Sequence, residues 1–141
     1  MTMKKVKRVW VLKTIKARTS FSPQQKAIFE KQCEEFINLT FKPKALKQFS
    51  SYKNERILVD IYCKWHREFF YFIAVIKDNR PDVIAPEYED KIARLEPKTD
   101  TLFYLSYFRH TREWFDITLG QGFSLKDCLQ SILDLPYFFP V

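Results

Sequence analysis

KWHREFF at residues 64 to 70 and RHTREWF at 109 to 115 contain the chain's only two histidines, His66 and His110, each beside basic and aromatic residues. Two imidazoles could share a metal ion, or His110 could serve as base to Cys63 or Cys128. CKWH, Cys63 to His66, has the spacing of half a zinc site, but no second half with compact spacing follows. In a simple meander of strands the two histidines fall at opposite ends of the sheet, on the order of 17 Å apart. Zinc to nitrogen bonds are about 2.0 to 2.1 Å, so only a crossover in the 78 to 90 loop would unite them. Both are therefore read as turn residues with locally bonded rings, and no metal site is expected.

RPDVIAPEYEDK, from Arg80 to Lys91, is the second stretch with chemistry in it. Asp82 after a proline, then Glu89 with Lys91, is similar to the PD-(D/E)xK nuclease pattern. In that family two acids hold Mg²⁺ and the lysine assists the attacking water, a division of labour suited to phosphodiester cleavage. The Asp82 to Glu89 gap is short for the family, and the triplet precedes the apolar part of its strand. A Mg²⁺-dependent nuclease using Asp82, Glu89 and Lys91 is thus one expectation, and a solvated acidic loop the plainer one.

A third set lies on a sheet face. If Phe115, Ile117 and Leu119 point inward, Trp114, Asp116 and Thr118 point outward. Tyr62, Lys64, Arg94 and either Tyr104 or Tyr107 with Arg109 then join them. Rings interleaved with Lys and Arg make a stacking platform for single-stranded bases, with the cations on phosphates. REFFYFIAV is similar to the RNP1 pattern of RNA-recognition domains but has Glu68 and Phe70 where that pattern has glycine, which excludes a true member. A face covered by the leading segment, a loop or a second subunit is the competing expectation.

The charge map adds a partner class. The chain of 141 residues has a net charge of +7. Residues 1 to 29 contribute +8 with no acid, and residues 30 to 141 contribute −1. The basicity thus belongs to a leading arm or edge strand, residues 1 to 18, in which Lys4, Lys5, Lys7, Arg8, Lys13 and Lys16 could draw nucleic acid or an acidic protein surface. The same lysines could merely blunt an edge strand.

These groups need elements to hold them. With 46% hydrophobic residues and fourteen Phe, residues 19 to 141 can bury the core of one domain. Ser22 as N-cap, Pro23 at the first position and Gln25 completing a capping box start a long helix. Phe29, Cys33, Phe36, Ile37 and Thr40 form its inward stripe, and the Lys42 to Pro43 step should end it. From Arg56 the period is two, which puts Ile57, Val59, Ile61, Cys63 and Trp65 on the core face. FFYFIAVI, apolar on both faces, belongs in the middle of the sheet, and three strands follow at 91 to 96, 101 to 109 and 113 to 119. Ser124 caps a short helix with Leu125, Cys128, Leu129 and Ile132 inward, stopped by Pro136. The apolar tail DLPYFFPV should pack back onto the body or anchor a partner. The fold class is α+β: an antiparallel meander of five strands with both helices on one face.

Absences narrow the function. Gly120 and Gly122 are the only glycines, so no P-loop or Rossmann phosphate loop exists, nor a GxSxG elbow or HExxH helix. No cofactor is expected. Three dispersed cysteines, Cys33, Cys63 and Cys128, fit a reducing, cytoplasmic compartment, and no apolar run suits a membrane span.

IARLEPKTDTLFYLSYFRHTREWFDI at 92 to 117, GFSLKDCLQSI at 122 to 132 and LPYFFPV at 135 to 141 together resemble a family of small uncharacterised bacterial proteins. In it an ARLEY strand, an LSYxRHTGxWW hairpin and a GLSLxECLxxI helix recur in this order. Arg112 stands where the family's hairpin has glycine, and Phe115 replaces its second tryptophan, which bears on the turn and on any platform built there. The resemblance implies the architecture and no activity. The expected function is a non-enzymatic binding or accessory module, with the nuclease and a structural homodimer as alternatives.

Overall fold

The computed structural model describes residues 20–50, 55–84 and 86–139; the basic arm lies outside them. Helix α1, Pro23–Phe36, begins as its sequence demands. Ser22 Oγ accepts from the Gln25 N–H, and Gln25 Oε1 accepts from the Ser22 N–H, closing the capping box.

The helix does not stop at Pro43. Residues Ile37–Phe41 form a π-turn in which the Lys42 N–H reaches back to the Ile37 carbonyl, and α2, Lys42–Ser50, continues the run. Proline lacks an N–H and its ring crowds the carbonyl four residues back, which breaks an ordinary α-helix; the wider π-turn changes that register just before the ring. It also rotates the stripe. The buried positions Phe29, Cys33, Ile37, Phe41, Ala45 and Phe49 recur every four residues, a spacing that drifts around an ideal 3.6-residue helix and that the underwound turn brings back to the core. Thr40, expected inward, is exposed.

The sheet is a five-stranded antiparallel meander, β1 Arg56–His66, β2 Phe69–Asp78, β3 Glu87–Pro97, β4 Phe103–Phe108 and β5 Trp114–Asp116, in that spatial order. A bulge between Leu58 and Asp60 resets the alternation of β1. As a result Leu58 is buried while Ile57 and Val59, expected inward, are 44% and 48% exposed. A second bulge opposite Phe72 and Ile73 puts Ile92 and Ala93 of β3 both in the core. β5 ends early because the Asp116 carboxylate folds the chain into a turn: Oδ1 accepts from the Thr118 N–H and hydroxyl, and Oδ2 from the Gly120 N–H. Thr118 is consequently buried and Leu119 76% exposed, the reverse of the strand expectation.

Helix α3, Leu125–Asp134, is capped by Ser124 and buries Cys128 and Ile132. All three helices pack on one sheet face in a single core. The tail packs back through a 3₁₀ turn, Pro136–Phe138, with Phe138 fully buried and Phe139 stacked on Phe41 at 5.6 Å. Lys44 Nζ donates to the Leu133 carbonyl at the end of α3, tying α2 to it.

At the β2–β3 loop the Arg80 guanidinium forks over Asp78, with Nε donating to both oxygens at 3.0 and 3.1 Å and Nη2 to Oδ2 at 2.6 Å. That fork holds the Asp78 carboxyl below its ordinary range. Folding therefore favours the charged form, and the associated stability is present above about pH 3.9 and lost as pH falls through the lower folded value. Thermal unfolding followed between pH 5 and pH 2 should show a weaker acid dependence in Asp78→Asn than in the parent chain.

Candidate functional site

Antiparallel partners share a face, so the register fixes what the outer face presents. Tyr62 pairs with Ile73, Lys64 with Tyr71 and His66 with Phe69; Tyr71 pairs with Arg94, Arg94 with Ser106, and Phe108 with Trp114. These residues stand opposite the helices. At the centre the Arg94 guanidinium lies 4.3 Å from the Phe69 ring centroid and 4.7 Å from that of Trp114. Trp114 in turn meets Tyr71 at 5.8 Å and Phe108 at 5.0 Å. Lys64 Nζ sits 5.9 Å over Tyr62 and Lys91 Nζ 5.2 Å over Phe108. Ile73 is 5% exposed although it faces away from the helices, and the rings of Phe69, Tyr71, Trp114 and Phe108 meet in series as an aromatic ledge on that face. No ion pair engages Arg94 among the described residues.

Tyr62, Lys64 and Trp114 thus share the face on which the sequence placed them. Arg109 does not: its guanidinium lies 5.5 Å over Phe115, which meets Tyr107 on the helix side. Of the two tyrosines weighed, Tyr104 shares the outer face, by register with Glu96, and Tyr107 stacks on Tyr137 at 4.7 Å beside the core. Sequence reasoning missed Phe69, Tyr71 and Phe108. The alternation of FFYFIAVI carries the first two, but its apolar character on both faces hides which is outward.

The nuclease trio is dispersed in role. Asp82 sits in the exposed β2–β3 loop, whereas Glu89 and Lys91 project outward from β3. Glu89 Oε2 accepts the Tyr62 hydroxyl at 2.5 Å, a bond that pushes the phenol up to about 12. Among the described residues no three His, Cys, Asp or Glu side chains gather as a metal ion would require.

The histidines are held apart. His66 ends β1 at the β1–β2 turn, His110 lies in the β4–β5 turn, and the 78 to 90 segment is a hairpin without crossover. CKWH is no ligand pair, because residues three apart on a strand face opposite ways: Cys63 is in the core, and the His66 ring meets Tyr71 on the outer face. Burial pushes the Cys63 and Cys128 thiols up to about 12, and the Cys33 thiol higher still. All three are neutral apolar fillers rather than nucleophiles. Arg112, at the β4–β5 turn, adopts a left-handed φ of +69°, a conformation that favours glycine.

None of the described helices is long and apolar enough to cross a membrane. Comparisons with curated proteins and with solved structures gave no match. The aromatic ledge, the hairpin with Arg112 at its turn and the Ser124-capped helix all lie within residues 21–140, which match a family described as a domain of unknown function, DUF3024, and the chain belongs to that family.

Proposed function

We propose that this chain is a binding module that takes single-stranded nucleic acid on the outer sheet face, with the basic leading segment adding phosphate contacts. The observation that carries this reading is the Arg94 guanidinium held between Phe69 and Trp114, with Tyr71 alongside, on the face opposite the helices. Rings on a sheet stack bases without regard to sequence, and nearby cations take the backbone. Lys64, Lys91 and Arg94 supply these cations on the ledge; Lys4, Lys5, Lys7, Arg8, Lys13 and Lys16 supply them in the arm.

Fluorescence anisotropy with labelled single strands and duplexes tests the reading. Affinity should fall steeply between about 50 and 200 mM salt, and single strands should bind more tightly than duplexes. Arg94→Ala and Trp114→Ala should each weaken single-strand binding about tenfold, the scale of one lost stacked base, with circular dichroism unchanged. Removal of residues 1 to 18 should lower affinity and flatten the salt dependence. Wild-type affinity in both ledge variants would sink the sheet-face reading, and equal affinity for polyglutamate would shift the partner to an acidic protein surface.

A further inference from the structure

β3 outruns its neighbour. It pairs with β2 from Glu87 onward but with β4 only from Ala93 to Pro97, so the backbone of Asp90, Lys91 and Ile92 faces a gap where β4 has turned away. The gap is a cavity of about 320 Å³ closed by the β4–β5 turn and the carboxyl-terminal 3₁₀ turn, within the size range of small-molecule sites, about 300 to 1,000 Å³. Lys91, Arg109, His110 and Arg112 line it against one acid, Asp90. No carboxylate among the described residues pairs with Lys91, Arg109 or Arg112. Burial pushes the Asp90 carboxyl above its ordinary range, which weakens its competition with an incoming anion.

Arg112 holds φ +69°, a region that disfavours a residue with a Cβ. Backbone strain of this kind concentrates at binding sites, and here it brings a guanidinium to the cavity rim. Phe108 and Tyr137 supply ring walls, and the open strand edge offers N–H and C=O groups that can read the edge of a planar heterocycle.

We propose that this notch binds a nucleoside monophosphate, its phosphate monoester held by Arg109, Arg112 and Lys91 and its base lying against Phe108 and Tyr137. The notch shares Lys91 and Phe108 with the edge of the outer-face ledge, but Arg109 and Arg112 are not part of that ledge, and the proposal does not depend on the sheet-face reading. The same group could arrive as a free nucleotide or as the phosphorylated end of a strand.

Isothermal titration of the full chain distinguishes these. Adenosine monophosphate should bind at least about tenfold more tightly than adenosine or inorganic phosphate, the scale of a charge-assisted hydrogen bond. A tetranucleotide with a 5′-phosphate, set against its 5′-hydroxyl form, shows whether strand ends are also accepted; preference for the phosphorylated form identifies the strand end as a source, and no preference identifies the free nucleotide. Arg112→Gly removes the cation and relaxes the turn, so the melting temperature should hold or rise while nucleotide affinity falls about tenfold. Unchanged affinity in Arg112→Gly, or a nucleotide that binds no better than its separate halves, overturns the proposal.

Discussion

Phe41→Ala is expected to destabilise the domain by about 3 to 5 kcal/mol, while Thr40→Ala, one residue away, should change stability by less than about 0.5 kcal/mol. Phe41 is fully buried, stacked on Phe36 at 6.0 Å on one side and on Phe139 at 5.6 Å on the other. Truncation removes the ring and leaves a cavity that the π-turn backbone, the tail and the sheet would all have to collapse into. Thr40 is exposed, and alanine there has the better helix propensity. An uninterrupted α-helical stripe through residue 40 would make Thr40 the inward position. Urea denaturation of both variants reads the difference directly; comparable losses in the two would mean that the helix runs through residues 37 to 41 without the π-turn.

The second large effect is expected at Asp116. Its carboxylate accepts three hydrogen bonds, from the Thr118 N–H at 2.8 Å, the Thr118 hydroxyl at 2.5 Å and the Gly120 N–H at 3.1 Å. Thr118 is 4% exposed, so Asp116→Ala strands buried donors that water reaches poorly. Each such orphan costs about 1 to 3 kcal/mol, and the variant should lose about 2 to 4 kcal/mol. Asp116→Asn keeps one acceptor oxygen and should lose less. Thr118→Val offers an independent check by removing the hydroxyl while filling its space. If Asp116→Ala unfolds at the parent's denaturant midpoint, the turn after β5 is held by something other than this carboxylate.

The parts of the fold that were legible in the sequence are those governed by local chemistry. Ser22, Pro23 and Gln25 announce a helix start because capping is settled within four residues. The meander follows from period-two runs separated by short polar turns. Where the reading failed, the deciding interaction was one residue of register. The rule that proline ends a helix assumes the α register, and Ile37 to Phe41 change it. The alternation that put Ile57 and Val59 inward assumes an unbroken ladder, and the bulge before Asp60 breaks it. The outer face was partly legible, since Tyr62, Lys64 and Trp114 sit on it, but the choice of Arg94 as the centre of the ring cluster depends on cross-strand register that no single run of sequence specifies. Arg109 was misplaced for the same reason, because β4 carries it to the helix side beside Phe115. The notch was invisible, since it exists only because the pairing of β3 with β4 stops at Ala93 while its pairing with β2 runs on to Glu87.

The strand order also has a kinetic consequence. Every strand pairs with its immediate successor, and the longest connection between paired strands runs only from residue 79 to 86. Local closures of this kind lose little chain entropy and fold quickly. The ring stack of Phe139 on Phe41 joins the tail to the π-turn, with the whole sheet between them in sequence, and that closure gains most once the sheet has formed. The carboxyl-terminal tail is thus expected to act as a clasp that closes late in folding, over a sheet already paired by local contacts.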